Sequence, residues 1–253
     1  MPDERLGYRP VPEFTAAFDE PAQTQSARAH AAIRRRILTA ELAPGAIVNE
    51  RALMEELDFG RTPVREALLR LASERLVIFQ ANQAIQVAPI GFEEVRELYE
   101  VRLHAERLAW RLWHRRRTDA DVELLSRTFE AAERLIAENR AAEIVNLDFD
   151  FHACAWRQAD NRFLAYHLYN LGGLSYRLWY ITTERTPERM RAIVRLHDPL
   201  IAAFRGEDSN ALDRAVADHI IEAFEFVMER LKGHGLNAAR HLPIRELLDD
   251  AAR

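Results

Sequence analysis

The amino-acid sequence predicts a mainly α-helical protein with two parts: a small N-terminal domain that carries one β-hairpin, and a larger antiparallel bundle of helices. Residues 24–90 alternate short helical patterns with two short strand-forming runs, and from Gly91 onward apolar residues recur at helical spacing. With 253 residues, 48% of them hydrophobic, the chain can bury two cores. We therefore predict a flexible arm at 1–23, a first domain at 24–90 and an all-helical domain at 91–253.

The first domain opens with two predicted helices. Residues 24–42 form an amphipathic pattern that ends at the Pro44-Gly45 turn, and Glu50–Asp58 form a shorter helix. After a tight turn, we expect Thr62 to cap a third helix. Pro63 would then occupy its first position, where the missing N–H costs nothing.

The third helix has an apolar face with i, i+3, i+4 and i+7 spacing, and arginines lie on the opposite side near its start. Residues 76–80 and 84–87 predict a hairpin around Ala81-Asn82-Gln83. This order of elements is typical of a winged helix-turn-helix, which binds DNA. The pattern alone leaves open an ordinary helical hairpin with solvated arginines.

Charge supports DNA binding only modestly. Residues 24–90 contain nine arginines against seven acidic residues, within a chain of net charge −5. Such a small excess favours local phosphate contacts over a broad electrostatic attraction. The sequence has one cysteine, no apolar run long enough for a membrane span and no signal-peptide pattern. We expect a cytoplasmic protein with no membrane partner.

Residues 26–90 resemble the GntR family of bacterial transcription regulators. The run Arg61-Thr62-Pro63-Val64-Arg65-Glu66-Ala67-Leu68 is a specific signal. The other matching positions are Ile37, Leu42, Pro44-Gly45, Glu50, Leu53, Leu57, Arg70-Leu71 and Val87. The resemblance implies that the DNA-contacting residues are Arg51, Arg61, Thr62 and Arg65. Among them we expect Arg65 to bind a guanine edge and Thr62 to contact a phosphate.

Three positions depart from the family pattern. Gly60 stands where serine is usual, and Arg75 replaces the usual glycine after the recognition helix. The wing tip, residues 82–84, lacks the usual basic residue and glycine. We therefore assign no role to the wing.

From Gly91 onward the helical patterns predict an antiparallel bundle of six or seven helices with short connections. The predicted helices are Phe92–Arg117, Asp119–Ala137, Arg140–Ala159, Arg162–Glu184, Pro187–Arg205 and Asp208–Lys232, with a short last one at Ile244–Ala252.

Four polar residues of this bundle lie where apolar residues belong. Asp148 and His152 share one helical face, and His197 and His219 follow the apolar faces of two further helices. A lone histidine there is usually a hydrogen-bonded core residue, and the spacing leaves that alternative open. Three imidazoles and one carboxylate that converge in a bundle would suit zinc, nickel, iron or manganese rather than calcium or magnesium.

Residues 92–230 resemble the FCD effector domain of the FadR branch of the GntR family. The matching positions are Glu97-Leu98-Tyr99-Glu100-Val101-Arg102, Glu106, Asp148-Phe149-Asp150-Phe151-His152, His197, Ala203-Phe204-Arg205-Gly206-Glu207-Asp208, Ala215 and His219. The resemblance implies that a divalent metal, zinc before nickel, iron or manganese, is held by Asp148, His152, His197 and His219. It also implies that a small organic acid binds at the open positions of the metal.

Arg102 is the predicted effector-binding residue. It lies on the apolar face of its helix, and a guanidinium can bind a carboxylate through two parallel hydrogen bonds. The alternative is a buried ion pair with Glu106, one turn later. Further candidates to line an effector pocket, or simply to pack in the core, are Trp156, Tyr176, Arg177 and Tyr180.

Together these observations predict a homodimeric transcription regulator, a repressor rather than an activator, that binds a palindromic DNA operator. A small carboxylate would shift the helical domain between states that fit DNA unequally. Two alternatives stay open. One is a metal-dependent enzyme, although the chain has neither an HExxH motif nor a glycine-rich phosphate loop. The other is a constitutive dimeric DNA-binding protein with a purely structural helical domain.

Overall fold

The computed structural model describes residues 24–81 and 84–233, and within these ranges the chain forms eleven α-helices and one two-stranded antiparallel sheet. The mainly α-helical fold class is confirmed. The helices are α1 (Gln25–Leu38), α2 (Glu50–Leu57), α3 (Arg61–Ser73), α4 (Phe92–His114), α5 (Asp119–Arg127), α6 (Ala132–Ala137), α7 (Ala141–Gln158), α8 (Arg162–Thr182), α9 (Pro187–Arg195), α10 (Asp198–Arg205) and α11 (Ser209–Gly233). The strands are β1 (Val77–Phe79) and β2 (Ile85–Val87). The arm expected at 1–23 and the helix expected at 244–252 lie outside the described residues.

The described residues divide into two compact units. The bundle unit comprises residues 105–165 and 183–219. The winged-helix unit comprises residues 24–81, 84–104, 166–182 and 220–233. Helices α4, α8 and α11 each contribute one part to each unit. None of the described helices is both long enough and apolar enough to cross a membrane.

In the winged-helix unit, α1 packs against α3 through aliphatic side chains. Ile33, Ile37, Val64, Leu68 and Leu71 are all fully buried. Burial of each such side chain stabilises the fold by about 1.5–3 kcal/mol, and it fixes the face that α3 turns away from solvent. The predicted inward face of α3 is therefore confirmed.

The hairpin follows α3 directly. Val77 pairs with Val87 and Phe79 with Ile85. Asn82 and Gln83 of the turn that the sequence predicts lie outside the described residues. A third extended segment joins the sheet edge, because Val48 donates a backbone hydrogen bond to Ile85 at 2.8 Å. The sheet thus ties the residues before α2 to the hairpin after α3.

Helix α1 ends four residues before the predicted Leu42. The Thr39 hydroxyl donates to the Arg35 carbonyl at 2.9 Å, and Ala40 adopts the left-handed conformation with φ 56°. A residue in that conformation stops an α-helix, so residues 39–43 form a turn.

Two helices predicted as continuous in the bundle unit are each broken. The segment Pro187–Arg205 divides into α9 and α10 because Pro199, near the start of α10, lacks the N–H that a helix interior needs. The segment Asp119–Ala137 divides at residues 128–131, where nothing in the sequence signals a break.

The core of the bundle unit is aromatic. Trp110, Trp113, Phe151 and Phe204 are buried. The ring centroids of Trp113 and Phe204 lie 4.5 Å apart, and those of Trp110 and Phe151 lie 5.2 Å apart. Phe151 belongs to α7, the helix that carries two of the four predicted metal ligands, so the aromatic core adjoins that part of the bundle unit.

Candidate functional site

Helices α2 and α3 form the helix-turn-helix that the sequence predicts. The Asn49 side chain caps α2, and Asp58 ends it in the left-handed conformation with φ 54°. Gly60 then precedes α3 without a side-chain cap, and its carbonyl accepts the first helical hydrogen bond from the Val64 amide at 3.3 Å. The two helices are joined by a turn of three residues.

The start of α3 differs from the prediction. The helix begins at Arg61, two residues early, so Thr62 lies inside the helix and is not its N-cap. Pro63 takes the third helical position, still within the first turn, where its missing N–H leaves no helical bond unmade. Thr62 is exposed in this first turn.

The predicted DNA-contacting side chains lie on the surface. The Arg51 side chain is 84% exposed and that of Arg65 is 54% exposed. Arg61 and Thr62 are also exposed. Arg65 lies on the outer face of α3, opposite the buried Val64, Ala67, Leu68 and Leu71. The geometry therefore presents all four residues to solvent at one end of the helix-turn-helix.

Two of these arginines are held by weak ion pairs. Arg51 contacts Glu55 one turn along α2 at 2.8 Å, and Arg65 lies 3.7 Å from Glu50. Exposed pairs of this kind contribute about 0–1 kcal/mol. A phosphate or a base edge can therefore replace the glutamate at small cost.

The bundle unit brings His152, His197 and His219 together. Their ligand atoms all lie within 4.8 Å of one another, and all three side chains are buried. The Nε2 atoms of His152 and His219 are 3.1 Å apart. Asp148 stands at the edge of the trio, with its Oδ1 atom 3.3 Å from the Nε2 atom of His197. The three histidines and the carboxylate that the spacing predicts thus meet in one place.

The outward nitrogens fix how the three imidazoles point. His197 donates from Nδ1 to the Ile193 carbonyl at 3.0 Å. His219 does the same to the Leu196 carbonyl at 3.2 Å. The Nδ1 atom of His152 faces the Glu106 carboxylate at 3.4 Å. A proton held on Nδ1 leaves the lone pair on Nε2, so the lone pairs of His197 and His219 point toward the centre of the trio.

The charge states fit this arrangement. Burial and the charges of His197 and His152 lower the pKa of His219 well below its ordinary value, so its imidazole is neutral at pH 7. Burial alone would raise the pKa of Asp148, but the close contact with His197 and the other neighbouring imidazoles outweigh it and hold that pKa far below its ordinary range. The site therefore offers the neutral imidazole of His219 and the ionised carboxylate of Asp148.

This donor set is the kind that binds a divalent transition metal. In their Nδ1-protonated forms, His152 and His219 direct two lone pairs at each other across 3.1 Å. The Nε2 atom of His197 is buried without a hydrogen-bond partner among the described residues. A cation can satisfy acceptors that converge in this way, and three nitrogens with one oxygen suit zinc and its neighbours in the first transition row.

Three elements position these ligands. Helix α7 carries Asp148 and His152 one turn apart, and α11 carries His219. His197 lies at the break between α9 and α10, which the sequence interpretation placed inside a continuous helix. Pro199, two residues after His197, causes that break. The break brings His197 close to His152 and His219, so a proline in the sequence accounts for the position of this ligand.

Glu106 is the residue whose role in this site the sequence did not reveal. It is completely buried, it accepts a hydrogen bond from the Trp156 indole nitrogen at 3.0 Å, and it faces His152. Its carboxylate therefore orients a predicted metal ligand. The only signal in the sequence was an acidic residue on an apolar helix face.

Arg102 is buried in the winged-helix unit, 4% exposed. Its Nη1 atom donates to the Ser175 hydroxyl at 2.5 Å, and Ser175 lies 3.1 Å from the Tyr99 hydroxyl. The guanidinium also lies over the Tyr99 ring, 5.8 Å from the centroid. Arg102 thus belongs to a buried polar group formed by α4 and α8.

Comparison with known proteins agrees with both halves of the chain. The profile described as "Bacterial regulatory proteins, gntR family" matches residues 25–87, and the profile of the FCD domain matches residues 97–222. The Nta operon transcriptional regulator of Aminobacter aminovorans is 30% identical over 191 residues, which cover 75% of this chain and 88% of that protein. The transcriptional repressor RspR of Escherichia coli is 24% identical over 210 residues, covering 83% and 91% of the two chains.

A solved structure shares the fold. Escherichia coli McbR/YncC superposes with a TM-score of 0.71 at 21% identity, over 82% of this chain and 99% of that one. Both of these relatives are regulators of transcription, and together with the two family matches they decide against the metal-dependent enzyme. The chain belongs to the GntR family of bacterial transcriptional regulators, with a DNA-binding helix-turn-helix followed by an FCD domain.

Proposed function

We propose that this protein is a cytoplasmic, metal-containing repressor that binds a palindromic operator as a homodimer and responds to a small organic acid. The observation that carries the proposal is the convergence of three buried imidazoles beside an ionised carboxylate, with the outward nitrogens of His197 and His219 held by backbone carbonyls. Buried polar atoms without hydrogen-bond partners destabilise a fold. A core with a purely structural role would therefore be more stable with apolar residues at these four positions.

In DNA binding, α3 enters the major groove. Arg65 reads a guanine edge from the outer face of α3, since a guanidinium matches the two acceptors of guanine. Thr62, in the first helical turn, contacts a phosphate. Arg51 and Arg61 flank it and supply further contacts to phosphates or bases. Local contacts of this kind suit a domain whose basic excess is small.

In the bundle unit, Asp148, His152, His197 and His219 would hold the metal, with zinc as the first expectation and nickel, iron or manganese as alternatives. When bound, the ion supplies a Lewis-acidic centre that attracts a carboxylate. Glu106 keeps His152 oriented, and the two backbone carbonyls keep His197 and His219 oriented. The protein's own contribution is a rigid, buried cage.

Arg102 is the proposed residue for effector recognition. It is buried beside Ser175, and a guanidinium can form a bidentate contact with a carboxylate. Binding would favour one of two states of the regulator, by no more than the difference in the ligand's affinity for them.

A homodimer would place two recognition helices on a palindrome. The outer face of α4 offers a candidate contact surface, because Val101 and Leu108 lie two turns apart and are 56% and 41% exposed. A two-fold dimer buries the same patch on both subunits, which suits an apolar stripe along one helix.

Metal analysis of the purified protein tests the proposal. We expect about one divalent ion per chain in the wild type and none in a His152→Ala/His219→Ala variant. The matched control is His104→Ala/His167→Ala, since both histidines are exposed on helices and neither belongs to the trio. Equal metal content in all three proteins would sink the metal site, and so would absence of metal from wild type incubated with zinc or nickel. The constitutive DNA-binding alternative would then stand.

A further inference from the structure

A large cavity lies within the winged-helix unit, and its lining includes none of the proposed DNA-contacting residues, none of the metal ligands and not Arg102. Its volume is about 790 Å³. The end of α3 and strand β1 form one wall, the segment around Ala88–Ile90 forms another, and α4 and α8 complete it. Most lining side chains are apolar, among them Val95, Leu98, Leu174 and Leu178. Two arginines, Arg75 and Arg177, also line it.

Arg177 is a buried cation with little to neutralise it. The residue is 2% exposed, its Nη2 atom donates to the Ala88 carbonyl at 2.8 Å, and its Nε atom is buried without a hydrogen-bond partner. Across the part of the chain that the structure describes, no acidic side chain forms an ion pair with it. Burial lowers the pKa of the guanidinium to about 10, which still leaves it charged at pH 7. A buried charge without an opposite charge is costly, so this one points to an anion from outside the chain.

Arg75 contributes an independent observation. It adopts the left-handed conformation with φ 58° directly after α3, where a side chain with a Cβ costs about 1–2 kcal/mol relative to glycine. Its side chain is exposed and lines the same cavity as Arg177. Asp58 adopts the same conformation at the end of α2, so it is the position of the Arg75 guanidinium in the lining, and not the strain, that bears on the ligand.

We propose that this cavity binds a monocarboxylate with an apolar body, whose carboxylate is held by Arg177 and Arg75. The apolar walls receive the body, and a guanidinium matches the two oxygens of a carboxylate. Glu94 and Glu97 are exposed and also line the cavity, so a second negative charge on the ligand would be repelled. The ligand is therefore a monoanion, and its site is separate in sequence and chemistry from the metal ligands.

A ligand in this cavity would change the affinity of the winged helix for DNA. Its walls include residues from the end of recognition helix α3 and from β1, together with residues of α4 and α8. A ligand that contacts both sets restrains the winged helix against these two helices. The carboxylate thereby adds a second input that does not pass through the metal.

Octanoate and its neutral analogue octanamide are the probes, measured by isothermal titration calorimetry on the full chain. We use the His152→Ala/His219→Ala variant stripped with EDTA, so that no carboxylate can bind through a metal. Octanoate is expected to bind at least tenfold more tightly than octanamide. Arg177→Met should remove that preference, and Arg115→Met, at an exposed arginine outside the cavity, should keep it.

A second variant, Arg75→Gly, controls for the case in which Arg177→Met loses octanoate binding only because it destabilises the fold. Glycine accepts the positive φ without strain, so this variant should be at least as stable as its parent and still bind octanoate about threefold or more weakly. Equal affinity for octanoate and octanamide, no binding of octanoate, or unchanged octanoate affinity in both Arg177→Met and Arg75→Gly would overturn the proposal. The metal proposal is untouched by any of these results, because no metal is present.

Discussion

The recognition helix α3 presents its proposed functional side chains to solvent, whereas the histidine cluster buries its own. Arg65 is 54% exposed, and its ion pair with Glu50 is long. His197, by contrast, is 1% exposed, and its two ring nitrogens face a backbone carbonyl and a carboxylate. In the first case function and stability are separable. In the second they are coupled, because the ligands are part of the core.

The two regions also differ in how the chain assembles them. Residues 50–73 form the helix-turn-helix from one continuous segment, with local caps at Asn49 and Gly60. The histidine cluster draws on α7, α11 and the α9–α10 break, which are far apart in sequence. A substitution in the first region should therefore change binding alone, and one in the second should change stability and binding together.

The largest expected effect is thermal stabilisation by metal. At zinc concentrations about a thousandfold above the Kd, binding to the folded state stabilises it by about 4 kcal/mol. For a chain of this length that is a rise in Tm on the order of 10 °C. The rise should vanish in His152→Ala/His219→Ala and persist in His104→Ala/His167→Ala, as followed by circular dichroism with and without EDTA. An equal rise in the double variant of the trio would show that zinc acts elsewhere.

Arg65→Ala should produce the next largest effect, and it should separate binding from stability. Loss of a bidentate base contact costs about 1–3 kcal/mol of discrimination per half-site. An operator selected in vitro with the wild type serves as the probe, in electrophoretic mobility shifts at fixed salt. We expect at least a tenfold loss of operator affinity, little change on unrelated DNA, and an unfolding midpoint within about 1 °C of wild type. Operator affinity equal to wild type would remove Arg65 from the interface.

Much of the first region could be predicted from the sequence because its signals are local. The apolar spacing of α3 located its inner face, and the outer arginines followed from it. The start of α3 was wrong by two residues because Gly60, with no side chain to cap the helix, still supplies the first carbonyl. Thr62 and Pro63 looked like a better start than the backbone geometry allowed.

The second region could be predicted only in part. The inward positions of His152 and His219 follow from helical periodicity. Which nitrogen each imidazole directs to the centre depends on carbonyls and carboxylates from elsewhere in the fold. Sequence spacing paired Glu106 with Arg102 as an alternative, but the structure also places its carboxylate against Trp156 and His152. These contacts join different helices, so the spacing of residues within one helix cannot predict them.

Glu106→Gln tests whether a residue that is not itself a metal ligand raises the affinity of the histidine cluster for zinc. The amide keeps only one oxygen, so either the Trp156 indole N–H loses its acceptor or the His152 Nδ1 atom faces an NH2 group in place of a carboxylate oxygen. Loss of such a supporting contact commonly lowers metal affinity by about 10–100-fold. We expect about a tenfold loss in a competition titration with a zinc chelator. Glu97→Gln, at an exposed position of the same helix, should leave zinc affinity unchanged, and a similar loss in both variants would contradict an orienting role for Glu106.

The smallest expected effect belongs to Arg51, and it sharpens the contrast with Arg65. If Arg51 neutralises a phosphate, Arg51→Ala weakens binding to all sequences alike, and it lowers the slope of log affinity against log salt by about one per subunit. Its exposed pair with Glu55 contributes too little for the unfolding midpoint to move. The measurement is operator and non-specific affinity across a salt series. An unchanged salt slope with a selective loss on the operator would move Arg51 from the phosphates to a base edge, and two arginines rather than one would then determine the sequence that α3 and its neighbour read.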